Sequence, residues 1–159
     1  MTPATYGLRV FYEDTDAGGI VYHARYLAFA ERARTELLRA LGLTHIELRE
    51  EHGLIFVVRR AEVDYQRPAR LDDWLLVTTT VGKVGGASCV LRQEVARQEV
   101  AREDGAEEDG TVAVVTVRLA CVRADDGRPA RWPARWLEVL AGAAGVDRLA
   151  GAAGVDRKD

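Results

Sequence analysis

Between Tyr22 and Leu41 the apolar residues recur every three or four positions, and beyond Gly53 they recur every two. That change of period points to one long helix packed against a run of antiparallel strands, an α+β arrangement. In the helical stretch Tyr26, Ala30, Ala33, Leu37 and Leu41 form the apolar stripe, while Arg25, Arg32, Glu36 and Arg39 lie off it. The many small residues fit a helix that a sheet wraps closely. Gly42 is a helix stop. Thr44, with Glu47 three residues on, makes a capping box for a short second helix ending near Gly53. Four strand-like runs follow over residues 54–66, 73–84, 88–101 and 111–124, with Gly85-Gly86 between the second and third and an acidic stretch, 104–110, between the third and fourth. In the last run Val115, Val117, Leu119 and Cys121 share one face, with Thr116 and Arg118 on the other. Residues 8–12 read as a strand before the long helix, and Pro133 to Leu140 as a short closing helix.

The chain has 159 residues, 48% of them hydrophobic, which suits one domain with a core of its own. We assign that domain to residues 1–139. Residues 140–148 recur without change as 149–157, and this Gly-rich segment, 140–159, is expected to be a flexible tail. The net charge is -3 and the basic residues form no stripe, so no nucleic acid is expected as partner. No export leader and no membrane span is expected. Cys89 and Cys121 fall in apolar runs and read as buried free thiols of a reducing cytosol.

The chemistry concentrates in the joint between the first strand and the long helix, Tyr12-Glu13-Asp14-Thr15-Asp16-Ala17-Gly18-Gly19-Ile20-Val21-Tyr22-His23. A helix N-terminus presents unpaired N–H groups and the positive end of a dipole. A carboxylate held there can attack a carbonyl that those groups polarise, or activate water to do so. An Asp-x-Asp start also suggests a calcium loop, but counting from Asp14 puts Gly18 at position five and Arg25 at position twelve, and the ligand set fails. Asp14 reads best as a turn or cap residue. Asp16 reads as the reactive carboxylate, because Gly18 and Gly19 after it let a substrate carbonyl approach the backbone. His23, at the expected helix start, offers its N–H to an oxyanion and its ring for proton transfer. Tyr12 ends the strand and either packs as an edge tyrosine or orients the aspartate. His45 and His52 have no partners at metal spacing and read as surface residues, and no metal site is expected. There is no Gly-x-Ser-x-Gly elbow and no phosphate loop of Walker spacing.

The stretch from Tyr12 to Glu36, YEDTDAGGIVYHARYLAFAERARTE, closely resembles the signature of the YbgC-type acyl-CoA thioesterases, within the 4-hydroxybenzoyl-CoA thioesterase group of hotdog-fold proteins. The likeness extends more loosely to about Val139. It implies a hotdog, a long central helix wrapped by a five-stranded antiparallel sheet, paired into a dimer or a dimer of dimers with active sites at the interface. It implies hydrolysis of acyl-CoA, with acyl carrier protein as a further partner, in the cytoplasm and without a resident cofactor. An association with the Tol-Pal envelope system follows from the same likeness. The family's catalytic carboxylate falls on Asp16, its tyrosine and histidine partners on Tyr12 and His23, and its backbone donor on the helix start at His23. The residue contributed by the neighbouring subunit falls near Val57, which is polar in the 4-hydroxybenzoyl branch. Together with Leu54, Phe56 and Val58 it suggests an apolar lining for short to medium aliphatic chains. The arginines that hold the CoA phosphates in that branch fall on Gly85 and Gly86, which leaves Lys83 and Ser88 as the nearby polar candidates, with Arg60, Arg92 or a partner subunit beyond them. Asp16 acts either as general base or as nucleophile through a mixed anhydride. Two rival readings are an enoyl-thioester hydratase of the same fold and a module that binds acyl carriers or envelope proteins without turnover.

Overall fold

The computed structural model describes residues 4–98 and 110–152, with side chains as far as residue 144. It contains β1 (Ala4–Arg9), a single 3-10 turn (Tyr12–Asp14), α1 (Arg25–Ala40), α2 (His45–His52), β2 (Leu54–Tyr65), β3 (Trp74–Val84), β4 (Ser88–Arg97), β5 (Thr111–Arg123) and α3 (Ala134–Ala152). The five strands form one antiparallel sheet in the order β1-β3-β4-β5-β2. This is the expected long helix wrapped by a five-stranded sheet.

The helix α1 lies in the concave face of the sheet. Its buried face is Tyr26, Phe29, Ala30, Ala33, Arg34, Leu37 and Leu38, so the expected stripe holds and two alanines let the strands approach. Against it stand Leu75, Val77 and Val81 of β3, Leu91 and Val95 of β4, and Val115, Val117, Leu119 and Cys121 of β5. The alternation expected in β5 is present. One polar group enters this core. The Gln93 side chain donates to the Ala30 carbonyl (2.7 Å) and to Thr79 Oγ1 (2.9 Å), and accepts from Arg34 (3.2 Å). Both of its N–H groups and its carbonyl oxygen are engaged, which lets a fully buried amide persist.

The ends of the elements explain the departures from expectation. The first strand is Ala4–Arg9 and stops before Tyr12, because the Asp14 carboxylate accepts from the Phe11 N–H (2.8 Å) and folds residues 11–14 into the 3-10 turn. The helix α1 starts at Arg25 rather than near Tyr22. Val21 N–H donates to the Ala69 carbonyl and Tyr22 N–H to the Asp14 carbonyl, both at 2.8 Å, which holds this segment extended. Thr44 Oγ1 caps α2 by accepting from Glu47 N–H (3.1 Å), and Gly42 and Gly53 close the two helices at φ of +74° and +63°. The closing helix, expected to end near Leu140, continues to Ala152, beyond the expected domain boundary. The expected third run past Gln98, most of the acidic stretch 104–110 and the end of the tail lie outside the described residues. Trp132, Trp136 and Phe56 form an aromatic cluster that seats the start of α3.

The strand β2 is an outer strand of the sheet, and Val57 through Glu62 are all exposed, on both faces. A bulge between Val58 and Arg60 interrupts its pairing with β5.

Candidate active site

The loop between β1 and α1 is built on Asp14. Its carboxylate is buried and takes two hydrogen bonds from Arg25, at 2.8 and 2.5 Å, besides that of Phe11. The turn reading of Asp14 is therefore what the geometry contains, and a carboxylate so occupied offers nothing to a calcium ion.

Asp16 is exposed at the tip of the next turn. Its Oδ1 accepts from the Gly18 N–H (2.8 Å), its carbonyl accepts from the Gly19 N–H (3.0 Å), and its own N–H donates to the Ile20 carbonyl (2.9 Å). Gly19 closes this turn at φ +77°, a conformation that a side chain disfavours. The backbone thus holds Asp16 on three sides, and among the described residues its Oδ2 has no partner.

Asp16 and His23 line the same cleft, about 490 Å³ in volume, with Tyr26, Tyr65, Gln66 and Arg67. His23 does not start the helix, as expected from sequence, but stands two residues before it. Among the described residues the His23 and Ala24 amides have no intramolecular acceptor. They lead into the N-terminus of a 16-residue helix whose dipole end is positive. The Tyr65 hydroxyl donates to the His23 carbonyl (2.7 Å) and pins this approach to the end of β2, and the Tyr65 ring meets Tyr26 edge-on. Burial raises the pKa of the Tyr26 phenol, so it faces the cleft as a neutral group. The arrangement is a carboxylate with one open oxygen and free amides at a helix start, around a space large enough for a thioester. Those are the parts needed to attack a carbonyl and hold the oxyanion.

Tyr65 went unnoticed in the sequence. Strand alternation assigns its face but does not say that the last residue of β2 reaches the helix start. Tyr12 is 83% exposed on the 3-10 turn and is not among the residues lining the cleft. Val57 and Val58 lie on β2, and Lys83 and Ser88 at the β3–β4 hairpin, away from Asp16 in the same chain. Val58 lines a second, smaller cavity of about 150 Å³ beside Arg34 and His45. Arg60 pairs with Glu62, and Arg92 with Glu94 at 3.2 Å, so both nucleotide candidates already face a carboxylate. On α2, ligand atoms of Glu47, Glu51 and His52 lie within 4.8 Å of one another, but Glu47 is held by Arg135 (2.8 Å). Both cysteines are buried and unlinked. Among the described residues no helix is long and apolar enough to cross a membrane.

Residues 18–104 match the family model described as the thioesterase superfamily. That match starts two residues after Asp16. The chain is 44% identical to the acyl-CoA thioesterase YbgC of Haemophilus influenzae over 129 residues, 81% of this chain and 88% of that one. It is 51% identical to the acyl-CoA thioester hydrolase YbgC of Escherichia coli over 88 residues, 55% of this chain and 65% of that protein. Among solved structures, a probable thioesterase from Bartonella henselae superposes with a TM-score of 0.71 at 33% identity, covering 81% of this chain and 98% of that one.

Proposed function

The chain belongs to the thioesterase superfamily, among the YbgC-type hotdog acyl-CoA thioesterases, and from that membership we propose that it hydrolyses acyl-CoA in the Asp16 cleft, with Asp16 as the reacting carboxylate. The observation that carries this is the meeting, in one cleft, of an Asp16 oxygen without a partner and His23, whose amide stands unpaired just before α1. The thioester carbonyl oxygen lies at the His23 and Ala24 amides, which take up its charge as the tetrahedral intermediate forms. Asp16 Oδ2 either removes a proton from the attacking water or attacks the carbonyl itself, forming a mixed anhydride that water then opens. In either route the C–S bond breaks and CoA leaves as the thiolate, and the His23 ring is placed to supply its proton. The reading requires no resident metal or redox cofactor.

The acyl group extends toward the apolar side of a partner copy. The strand β2 is an open outer strand with residues of both faces exposed, which supports pairing with a second β2 across a two-fold axis. Val57 and Val58, on opposite faces of β2, then lie beside the neighbour, and their apolar side chains support short to medium aliphatic chains. We place the protein in the cytoplasm, where its thiols stay reduced. The test is thiol release from acyl-CoAs of graded length, followed by one turnover in 18O-water. Rising activity to a medium length supports the lining, and 18O retained in Asp16 marks the anhydride route. No turnover on any member leaves only a binding role.

A further inference from the structure

Among the described residues two charged side chains are buried, Asp14 and Arg34. Asp14 is matched by Arg25, and Arg34 has no such match. Its one acceptor is the neutral Gln93 carbonyl oxygen, 3.2 Å from a single terminal nitrogen, and among the described residues the remaining donors of its fork have no partner. Exposed arginines such as Arg32 and Arg118 also lack a carboxylate, but water solvates them. Arg34 is 9% exposed, and a buried cation without a counter-charge is costly. Burial lowers the pKa of its guanidinium, and Glu31, one turn earlier on α1, opposes that from beyond ion-pair distance.

The Arg34 guanidinium borders the cavity of about 150 Å³ that Val58 also lines. Gln93 fixes it there, being tied in turn to the Ala30 carbonyl and to Thr79. Thr35 Oγ1 and His45 Nε2 add polar groups to the lining, 3.5 Å apart, and burial lowers the His45 pKa, so the ring is neutral at pH 7. Phe56 and Val58 supply apolar surface beside them. Such a lining suits a carbon chain that ends in a negative group.

Val58 stands opposite Leu119 and Phe56 opposite Cys121, both buried against α1, so the cavity lies on the helix side of β2. Tyr65, whose hydroxyl reaches the His23 carbonyl, marks the Asp16 cleft at the other end of that strand. Within one chain the strand from Val58 to Tyr65 spans roughly 23 Å. Antiparallel pairing of two β2 strands about their middle brings the Phe56–Val58 stretch of one copy within roughly 10 Å of the Tyr65 end of the other. A medium acyl chain covers that gap.

We propose that the Arg34 cavity takes the far carboxylate of the acyl chain whose thioester is held in the partner copy's cleft, so that the substrates are CoA monothioesters of dicarboxylic acids. This rests on the acyl-CoA reading and the β2 pairing above. The hydrolysis is unchanged: water adds at the thioester carbonyl, the C–S bond breaks, and the diacid and the CoA thiol leave. A guanidinium fork with free donors binds a carboxylate through two parallel hydrogen bonds. Glu31 at the cavity is exposed and screened by water, and it weakens this attraction without cancelling it.

The test is a paired series, glutaryl, adipyl and suberyl-CoA against pentanoyl, hexanoyl and octanoyl-CoA. At one length or more the carboxylated substrate should exceed its plain counterpart about tenfold in kcat/KM. Arg34→Met should remove that excess through KM. The ratio is read within one variant, so a partly unfolded preparation does not alter it. Glu31→Gln, on the surface, should lower KM for the carboxylated substrate alone. A ratio that Arg34→Met leaves in place, or a KM that Glu31→Gln shifts equally on both substrates, overturns the assignment. Co-expression of Asp16→Asn with Arg34→Met chains tests the crossing between copies. The competent site of a mixed dimer draws its Arg34 from the other copy, so the ratio should rise above that of Arg34→Met alone; an unchanged ratio overturns the placement in the partner's cleft. A wild type that cleaves plain acyl-CoAs at least as well at every length contradicts the carboxylate site alone, whereas one idle on both series overturns the thioesterase reading and this assignment with it.

Discussion

Two aspartates two residues apart should fail in opposite ways when replaced. The Asp14 side chain is 4% exposed and accepts three hydrogen bonds, two from the Arg25 guanidinium and one from the Phe11 N–H. Removing one member of a buried, hydrogen-bonded ion pair costs about 3–5 kcal/mol. Arg25 is 30% exposed and can turn toward water, which lowers the figure for Asp14→Ala to about 2–3 kcal/mol. For a domain of this length that is a fall in Tm of roughly 5–10 °C. Asp16 is exposed and bonds only the Gly18 N–H through its side chain, so Asp16→Asn should stay within about 0.5 kcal/mol of wild type. Urea unfolding followed by circular dichroism gives both numbers. Asp14→Ala unfolding at the wild-type midpoint, or Asp16→Asn losing as much as Asp14→Ala, would refute the division of labour drawn from the loop.

Other outcomes follow from the same geometry. Tyr65→Phe removes the bond to the His23 carbonyl and should cost about 1 kcal/mol of stability, with a fall in kcat/KM as the helix approach loosens. Gln93→Leu leaves Arg34 and Thr79 without their shared partner inside the core and should cost about 2–3 kcal/mol by denaturant unfolding. Burial pushes the Cys89 thiol up to about 12 and the Cys121 thiol to about 11. Folding therefore favours their protonated forms, so stability is level below the unfolded thiol value of about 8.5 and declines as pH rises above it, while native protein at pH 8 resists alkylation. Val58→Lys puts a charge on the open strand and should shift the protein toward monomer in light scattering, with loss of activity.

Much of this fold can be read from periodicity because its elements are long. The helix α1 and the strands β2 to β5 each repeat their pattern enough times to stand out. What periodicity missed are contacts between segments distant in sequence. The true start of α1 depends on Val21 bonding Ala69 and Tyr22 bonding Asp14, and the end of β1 depends on a carboxylate reaching back to Phe11. Residues 8–12 look like strand because Val10 and Phe11 are apolar, but a side-chain cap decides otherwise. The glycines of residues 140–159 suggested a flexible tail, yet as far as Ala152 the backbone is helical. In the candidate site, Asp16 and Gly19 were legible because turn chemistry is local, while Tyr65 comes from a segment about 40 residues away in sequence and leaves no local sign.

Asp16 is proposed as the reacting carboxylate of a thioesterase. Its most direct measurement is steady-state thiol release from a medium-chain acyl-CoA by wild type and by Asp16→Asn, each shown folded by the same unfolding curve. Wild type should turn over, and Asp16→Asn should lose about two orders of magnitude or more in kcat. A folded Asp16→Asn that keeps wild-type kcat would contradict it and move the chemistry elsewhere in the cleft.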